Sequence, residues 1–169
     1  MTLQLTPEIL NYFIWGGSVA ATTYGLILAF LILKLPTGND KMREIALAIQ
    51  QGAKAYLTRQ YMVVALVAVV VAALIGLLIS LNSAIGFVIG ALFSAIAGLV
   101  GMMIAVRANI RCAEAAKKGL AQAFDVAFKG GAVTGFLVVG LALGVTYGFY
   151  QFTHDIPALV SLGFGASLI

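Results

Sequence analysis

Residues 86–106 read GFVIGALFSAIAGLVGMMIAV and contain no Asp, Glu, Lys, Arg or His. A helix that crosses the hydrocarbon core of a bilayer needs about 20 consecutive, mostly apolar residues. This stretch is long enough, and its one hydroxyl group belongs to Ser94. It predicts a membrane-spanning helix.

Comparable charge-free stretches occur on both sides of this one. The predicted spans are residues 10–33, 61–81, 84–106 and 131–150. The whole chain is 62% hydrophobic and 9% charged, whereas a soluble domain carries about 25% charged residues. We therefore predict an all-α fold, a polytopic transmembrane helical bundle with four full spans.

A fifth apolar segment follows the polar turn at His154-Asp155. Residues 158–169 would make a helix of about 18 Å, well short of the roughly 30 Å hydrocarbon core. Pro157 suits the first turn of a helix, where its missing N–H does no harm. We expect this segment to be the start of a fifth span that enters from outside, with its continuation beyond Ile169. On this interpretation residues 1–169 are one partial membrane domain.

The basic residues predict the orientation of the bundle. All ten Lys and Arg residues fall in two connections, residues 34–60 and 107–130. Basic connections stay in the cytoplasm, so we predict a multi-pass cell-membrane protein with its N-terminus and the His154 turn outside. Both connections are rich in helix formers and are expected to extend the membrane helices.

Small residues recur four positions apart in every predicted span. Such stripes let the backbones of membrane helices approach closely, so they predict a tightly packed bundle. The stripes are Gly17, Ala21, Gly25 and Ala29; Ala68, Ala72, Gly76 and Ser80; Gly86, Gly90, Ser94 and Gly98; and Gly140, Gly144 and Gly148.

The chain offers little of the chemistry that a site needs. Its acids all lie outside the predicted spans, no Walker-type phosphate loop is present, and one cysteine gives no metal-site spacing. We predict no catalytic, cofactor-binding or metal-ligating residue, and we interpret Cys112 and His154 as a reduced thiol and a solvated turn residue. The acids are Glu8, Asp40, Glu44, Glu114, Asp125 and Asp155.

Four cations keep two interpretations each. Lys117 and Lys118 either are solvated residues that set the membrane topology or attract phosphate and anionic lipid headgroups. Arg59 and Arg107, at the cytoplasmic ends of two spans, snorkel to the interface or pair with acids such as Glu44 or Glu114. Snorkelling and solvation are the favoured alternatives.

Four collinear strings resemble one protein family. MREIALAIQQGAKAYLTRQY (residues 42–61) is similar to the sequence that follows the first helix of membrane-bound, ion-pumping inorganic pyrophosphatases. GMMIAVRANIRCAEAAKKGL (101–120) resembles their next cytoplasmic connection, AFKGGAVTGFLVVGLALGV (127–145) the start of their fourth helix, and GFGASLI (163–169) the opening of their fifth.

The resemblance implies the N-terminal part of a larger pump, to which this chain supplies outer scaffold helices. Such a pump hydrolyses cytoplasmic pyrophosphate with Mg²⁺, drives H⁺ or Na⁺ outward, and is a homodimer. The family's acid-rich substrate motifs begin beyond the last residue here, so the Mg²⁺ ligands are expected outside this chain, and the chain alone is expected to be inactive. The implied partners are the bilayer, the remaining helices of the pump, pyrophosphate and the ion, with no nucleic acid.

One alternative from another class stays open. The chain would then be a complete small four-helix membrane channel, transporter or assembly subunit without enzymatic activity.

Overall fold

The computed structural model describes residues 6–168, which form α-helices joined by short connections, with no β-strand in that range. Four of the helices, α1 to α4, are long and apolar enough to cross a membrane. This confirms the predicted all-α transmembrane bundle. The helices are α1 (Pro7–Leu33), α2 (Asp40–Leu78), α3 (Leu81–Ala116), α4 (Leu120–Thr153) and α5 (Ile156–Ala166).

The long helices extend well beyond the apolar stretches that predicted them. Helix α2 has 39 residues, which corresponds to about 58 Å and almost twice the thickness of the hydrocarbon core. It begins where the Asn39 side chain accepts a hydrogen bond from the Met42 backbone N–H at 3.0 Å, an N-cap that satisfies an otherwise unpaired amide. Residues 40–60 and 107–116 are therefore helical, as predicted for both basic connections.

The turn between α2 and α3 lies three residues earlier than the predicted Asn82-Ser83 connection. Helix α2 ends at Leu78, so the predicted span 61–81 overruns it. Ser80 caps α3 instead: its Oγ accepts from the Ser83 backbone N–H at 3.1 Å and donates to the Ser83 Oγ at 3.0 Å. Asn82 thus lies in the first turn of α3, and Ser80 does not belong to the stripe of α2.

Two residues form the turn between α4 and α5: one ends α4 and the other caps α5. His154 ends α4 in the left-handed region at φ 48°, and it is exposed, as a solvated turn residue should be. Asp155 accepts a hydrogen bond from the Ala158 backbone N–H at 3.1 Å and so caps α5. Pro157 lies in the first turn of α5, which confirms the predicted start of a fifth helix.

Helix α3 is the centre of the bundle. Helices α2, α4 and α5 pack against it, while α1 packs mainly against α4. Contacts between Gly101 and Thr134 and between Ala108 and Gly130 show that α3 and α4 run antiparallel. The main buried cluster joins α1, α3 and α4; it consists of Leu28, Ala29, Ile32, Ile104, Ala108, Val133 and Leu137.

The glycine stripes of α3 and α4 lie in the closest helix contacts. A Cβ atom at Gly90 would collide with the Leu162 carbonyl of α5, and one at Gly165 would collide with the Phe87 carbonyl of α3. On the other side of the bundle, the Ser18 Oγ of α1 donates a hydrogen bond to the Gly140 carbonyl at 2.7 Å. Small residues therefore permit backbone contact here, as the sequence pattern predicts.

Helix α2 is the least covered element of the bundle. Among the described helices it packs mainly on α3, and the most apolar window of α2 contains no buried residue. A Cβ atom added at Gly76 would lie 3.4 Å from the Ala84 side chain, which is an ordinary van der Waals distance and not a close backbone contact. The outer face of α2 carries large apolar side chains such as Leu66 and Leu77 that are available to lipid or to further helices.

Candidate functional site at the basic end of the bundle

The candidate site is the end of the bundle where α1 and α3 finish and α2 and α4 begin, called the basic end below. All ten Lys and Arg residues lie in the two segments at this end, 34–60 and 107–130. No other part of the described range brings charged side chains from different helices together. The hydrogen bonds and ion pairs at this end distinguish a reaction site or a ligand site from a structural joint.

Arg111 joins α3 to the end of α1. Its guanidinium donates one hydrogen bond to the Leu33 carbonyl at 2.7 Å and another to the Arg107 carbonyl at 2.6 Å. The last carbonyls of a helix have no partner within the helix, and they carry a partial negative charge that a cation stabilises. Since α1 has no basic residue in its own last turn, Arg111 supplies that cation from another helix.

Glu114 lies one turn further along α3, against the connection between α1 and α2. Its carboxylate pairs with the Lys117 ammonium at 2.5 Å. A Cβ atom at Gly38 would lie 2.5 Å from the same carboxylate, and Gly38 has a φ of 73°. Glycine is required at position 38 for both reasons, because other residues rarely adopt that conformation and would displace Glu114.

Arg59 and Arg107, the two arginines that the sequence singled out, form no ion pair with an acid among residues 6–168. The Arg107 guanidinium donates to the Met103 carbonyl of its own helix at 3.1 Å, and Arg59 is exposed. The pairing with Glu44 or Glu114 is therefore absent from the described part of the chain. Snorkelling stays a prediction.

The remaining ion pairs each join two residues of the same helix. Arg43 pairs with Asp40 at 3.2 Å and Lys129 with Asp125 at 2.6 Å, both one turn apart on an exposed surface. Such pairs contribute about 0–1 kcal/mol to stability. Lys118 is exposed, and no ion pair between described residues includes it.

Across the described range 6–168, no three His, Cys, Asp or Glu side chains converge closely enough to hold a metal ion. Cys112 donates from its Sγ to the Ala123 carbonyl at 3.3 Å, which ties α3 to the first turn of α4. Asp155 and Glu8 lie at the opposite end of the bundle. The described contacts make the basic end a structural joint with exposed cations on its surface, and the acids there do not converge into a cluster such as Mg²⁺ requires.

The sequence analysis does not single out Arg111, the residue that joins α3 to the end of α1. Arg59 and Arg107 attract attention because they stand at the ends of apolar stretches, whereas Arg111 lies inside a charged connection. Its partner is the backbone carbonyl of Leu33, and no side-chain pattern identifies a backbone acceptor. Only the packing of α1 beside α3 and α4 reveals the contact.

Comparisons with known proteins give consistent matches. The family profile described as inorganic H⁺ pyrophosphatase matches residues 19–169. A K(+)-insensitive pyrophosphate-energized proton pump of Methanosarcina mazei is 48% identical over 155 residues, which covers 90% of this chain and 23% of that protein. A second such pump, from Moorella thermoacetica, is 44% identical over 162 residues, covering 91% of this chain and 24% of its own length.

A relative with a different ion is also similar. The putative K(+)-stimulated pyrophosphate-energized sodium pump of Clostridium tetani is 39% identical over 157 residues, again covering 90% of this chain and 23% of that protein. The chain therefore spans about a quarter of the length of these curated relatives.

Proposed function

Because this chain belongs to the inorganic H⁺ pyrophosphatase family, we propose that it forms the outer scaffold helices of a membrane pump driven by pyrophosphate. The pump couples hydrolysis of cytoplasmic pyrophosphate to outward transport of H⁺ or Na⁺. The observation that carries this proposal is the match of the family profile over residues 19–169, joined to four helices able to cross a membrane.

The scaffold role is supported by what the spans contain. An ion that leaves water must be offered charged or strongly polar groups in its place. The predicted spans contain no Asp, Glu, Lys, Arg or His, so we assign the ion pathway to other parts of the pump. For the same reason the spans do not distinguish H⁺ from Na⁺, and relatives with either ion are similar to this chain.

The acids that the structure describes do not form a site that suits Mg²⁺. Asp40 and Asp125 are engaged with Arg43 and Lys129, and Asp155 caps α5. Proteins bind Mg²⁺ through carboxylates together with substrate phosphates. Among the described residues, no three His, Cys, Asp or Glu side chains come close enough to hold a metal ion. We therefore propose that the metal ligands and the pyrophosphate site are supplied by parts of the pump outside this chain. That the pump is a homodimer is a separate proposal, which rests on the family resemblance.

The isolated 169-residue chain is expected to release no phosphate from pyrophosphate in the presence of Mg²⁺, because it lacks a carboxylate cluster. The native polypeptide that carries this sequence, purified from its membrane, is expected to release phosphate under the same conditions. The measurement is inorganic phosphate over time, with a heat-denatured sample as control. Turnover by the isolated chain, or none by the native polypeptide, would contradict the proposed function.

The proposed orientation places the basic end in the cytoplasm. In a Cys112→Ser background, we expect a cysteine in place of Lys118 to be shielded from a membrane-impermeant maleimide in intact cells, and one in place of His154 to react. Both residues are exposed in the structure, so failure to react reports the membrane and not burial. Reaction at position 118 before permeabilisation would invert the topology.

A further inference from the structure

A groove of about 690 Å³ runs between α2 and α3 at the basic end. It is lined by residues 47–62 of α2 and residues 99–107 of α3. The groove is open because, within residues 6–168, α2 packs mainly on α3, and this leaves the flanks of both helices uncovered. Neither the joint around Arg111 nor the proposed hydrolysis uses it.

The groove changes character along its length. Towards the middle of the bundle it is lined by Met62, Leu99 and Met102. Towards the basic end its lining is mixed and includes Leu47, Gln50, Lys54 and Arg107. Lys54 and Met62 are separated by about 12 Å along the helix axis. The change falls at the predicted membrane boundary near residues 61 and 106, so apolar side chains face the hydrocarbon depth and cations face the headgroups.

The cations of the groove are not neutralised by the described chain. No acid lines the groove, and neither Lys54 nor Arg107 takes part in an ion pair between described residues. The Arg107 side chain has one hydrogen bond in this range, from Nη1 to the Met103 carbonyl. A guanidinium has five donors in a planar fork that suits phosphate, so most of them are available to a ligand.

We propose that this groove binds an anionic phospholipid of the cytoplasmic leaflet, with the headgroup phosphate at Lys54 and Arg107 and an acyl chain along Met62 and Met102. Basic pockets between transmembrane helices on the cytoplasmic side suit anionic headgroups. An apolar helix in the groove would leave both cations without a counter-charge at the edge of the membrane, which is costly. A phospholipid satisfies the apolar and the basic part together. The inference rests on the predicted topology and not on pyrophosphate hydrolysis.

The charge requirement is tested with two matched double variants of the native protein that carries this chain. Lys54→Gln with Arg107→Gln removes the two groove cations; Lys41→Gln with Lys118→Gln removes two exposed cations of the same end that do not line the groove. Each protein is equilibrated with equimolar phosphatidylglycerol and phosphatidylcholine, and bound lipids are counted by native mass spectrometry. We expect the groove variant to lose roughly tenfold in its preference for phosphatidylglycerol, and the control to stay within about twofold.

Equal losses in the two variants, or an unchanged preference in the groove variant, would overturn the proposal. A photo-crosslinking amino acid in place of Met103, whose side chain lines the groove and is exposed, identifies the occupant in native membranes. A phospholipid adduct supports the proposal. An adduct with another segment of the polypeptide or with a second copy contradicts it, and this second measurement decides even if the charge variants fold poorly.

Discussion

Gly90→Leu is expected to lower the melting temperature of the purified chain in detergent by roughly 6–12 °C, which corresponds to about 3 kcal/mol. A Cβ at this position would meet the Leu162 carbonyl and lie 2.9 Å from the Ala166 backbone nitrogen. Both atoms belong to the backbone of α5, so no side chain can rotate to make room. Helix α5 must move away from α3, and the contacts at Gly86 and Gly165 open with it.

The matched control for this substitution is Gly163→Leu. Gly163 lies on α5 with no atom within 4 Å of an added Cβ, so a shift below about 2 °C is expected. Ala158 of α5 is fully buried, so a cysteine in its place reports whether α5 has moved. The Ala158→Cys variant should react with maleimide only when Gly90→Leu is also present. Equal melting shifts in the two leucine variants would mean that α5 does not pack on the glycines of α3.

Gly140→Leu is expected to have a comparable effect on the opposite flank of the bundle. An added Cβ would lie 2.7 Å from the Thr22 backbone nitrogen and 2.9 Å from the Ser18 carbonyl, so α1 and α4 must separate. The buried hydrogen bond from the Ser18 Oγ to the Gly140 carbonyl is then lost as well. Overpacking costs about 1–3 kcal/mol and the bond in a membrane protein about 0.6 kcal/mol, so we expect a melting shift of roughly 4–12 °C.

Gly135→Leu is the control on the same helix, because Gly135 is exposed and has no atom within 4 Å of an added Cβ. Ser18→Ala separates the two contributions, since it removes the hydrogen bond without adding volume. The expected order of destabilisation is Gly140→Leu first, Ser18→Ala well below it and Gly135→Leu last. A different order would show that close backbone approach does not hold α1 against α4.

The number and type of the helices could be predicted from the sequence, because a charged side chain in hydrocarbon is costly and its absence over about 20 residues is a strong signal. The turn at Ser80 could not be located in this way. Ile79 and Leu81 continue the apolar run on both sides of it, so hydropathy does not register the interruption. The sequence signal for this turn is Ser80, since serine often caps a helix. Its position four residues after Gly76 instead favours the small-residue stripe of the preceding span.

The glycine stripes predicted that helices touch, but not which ones. Gly86 and Gly90 face α5, which is short and follows far along the chain, rather than the neighbouring α2. The same limit applies to the basic end. Arg111 reaches the Leu33 carbonyl, and a contact between a side chain and the backbone of a distant helix leaves no trace in either local sequence.

Inside-out membrane vesicles that contain the native protein carrying this chain give the most direct test of the proposed ion transport driven by pyrophosphate. Pyrophosphate and Mg²⁺ are added outside the vesicles, where the basic end is predicted to face, and internal acidification and uptake of radioactive Na⁺ are followed in parallel. We expect that one of the two ions accumulates inside, stops accumulating when pyrophosphate is exhausted, and escapes on addition of the matching ionophore. Accumulation of neither ion, in vesicles whose insertion has been verified by labelling at positions 118 and 154, would contradict it.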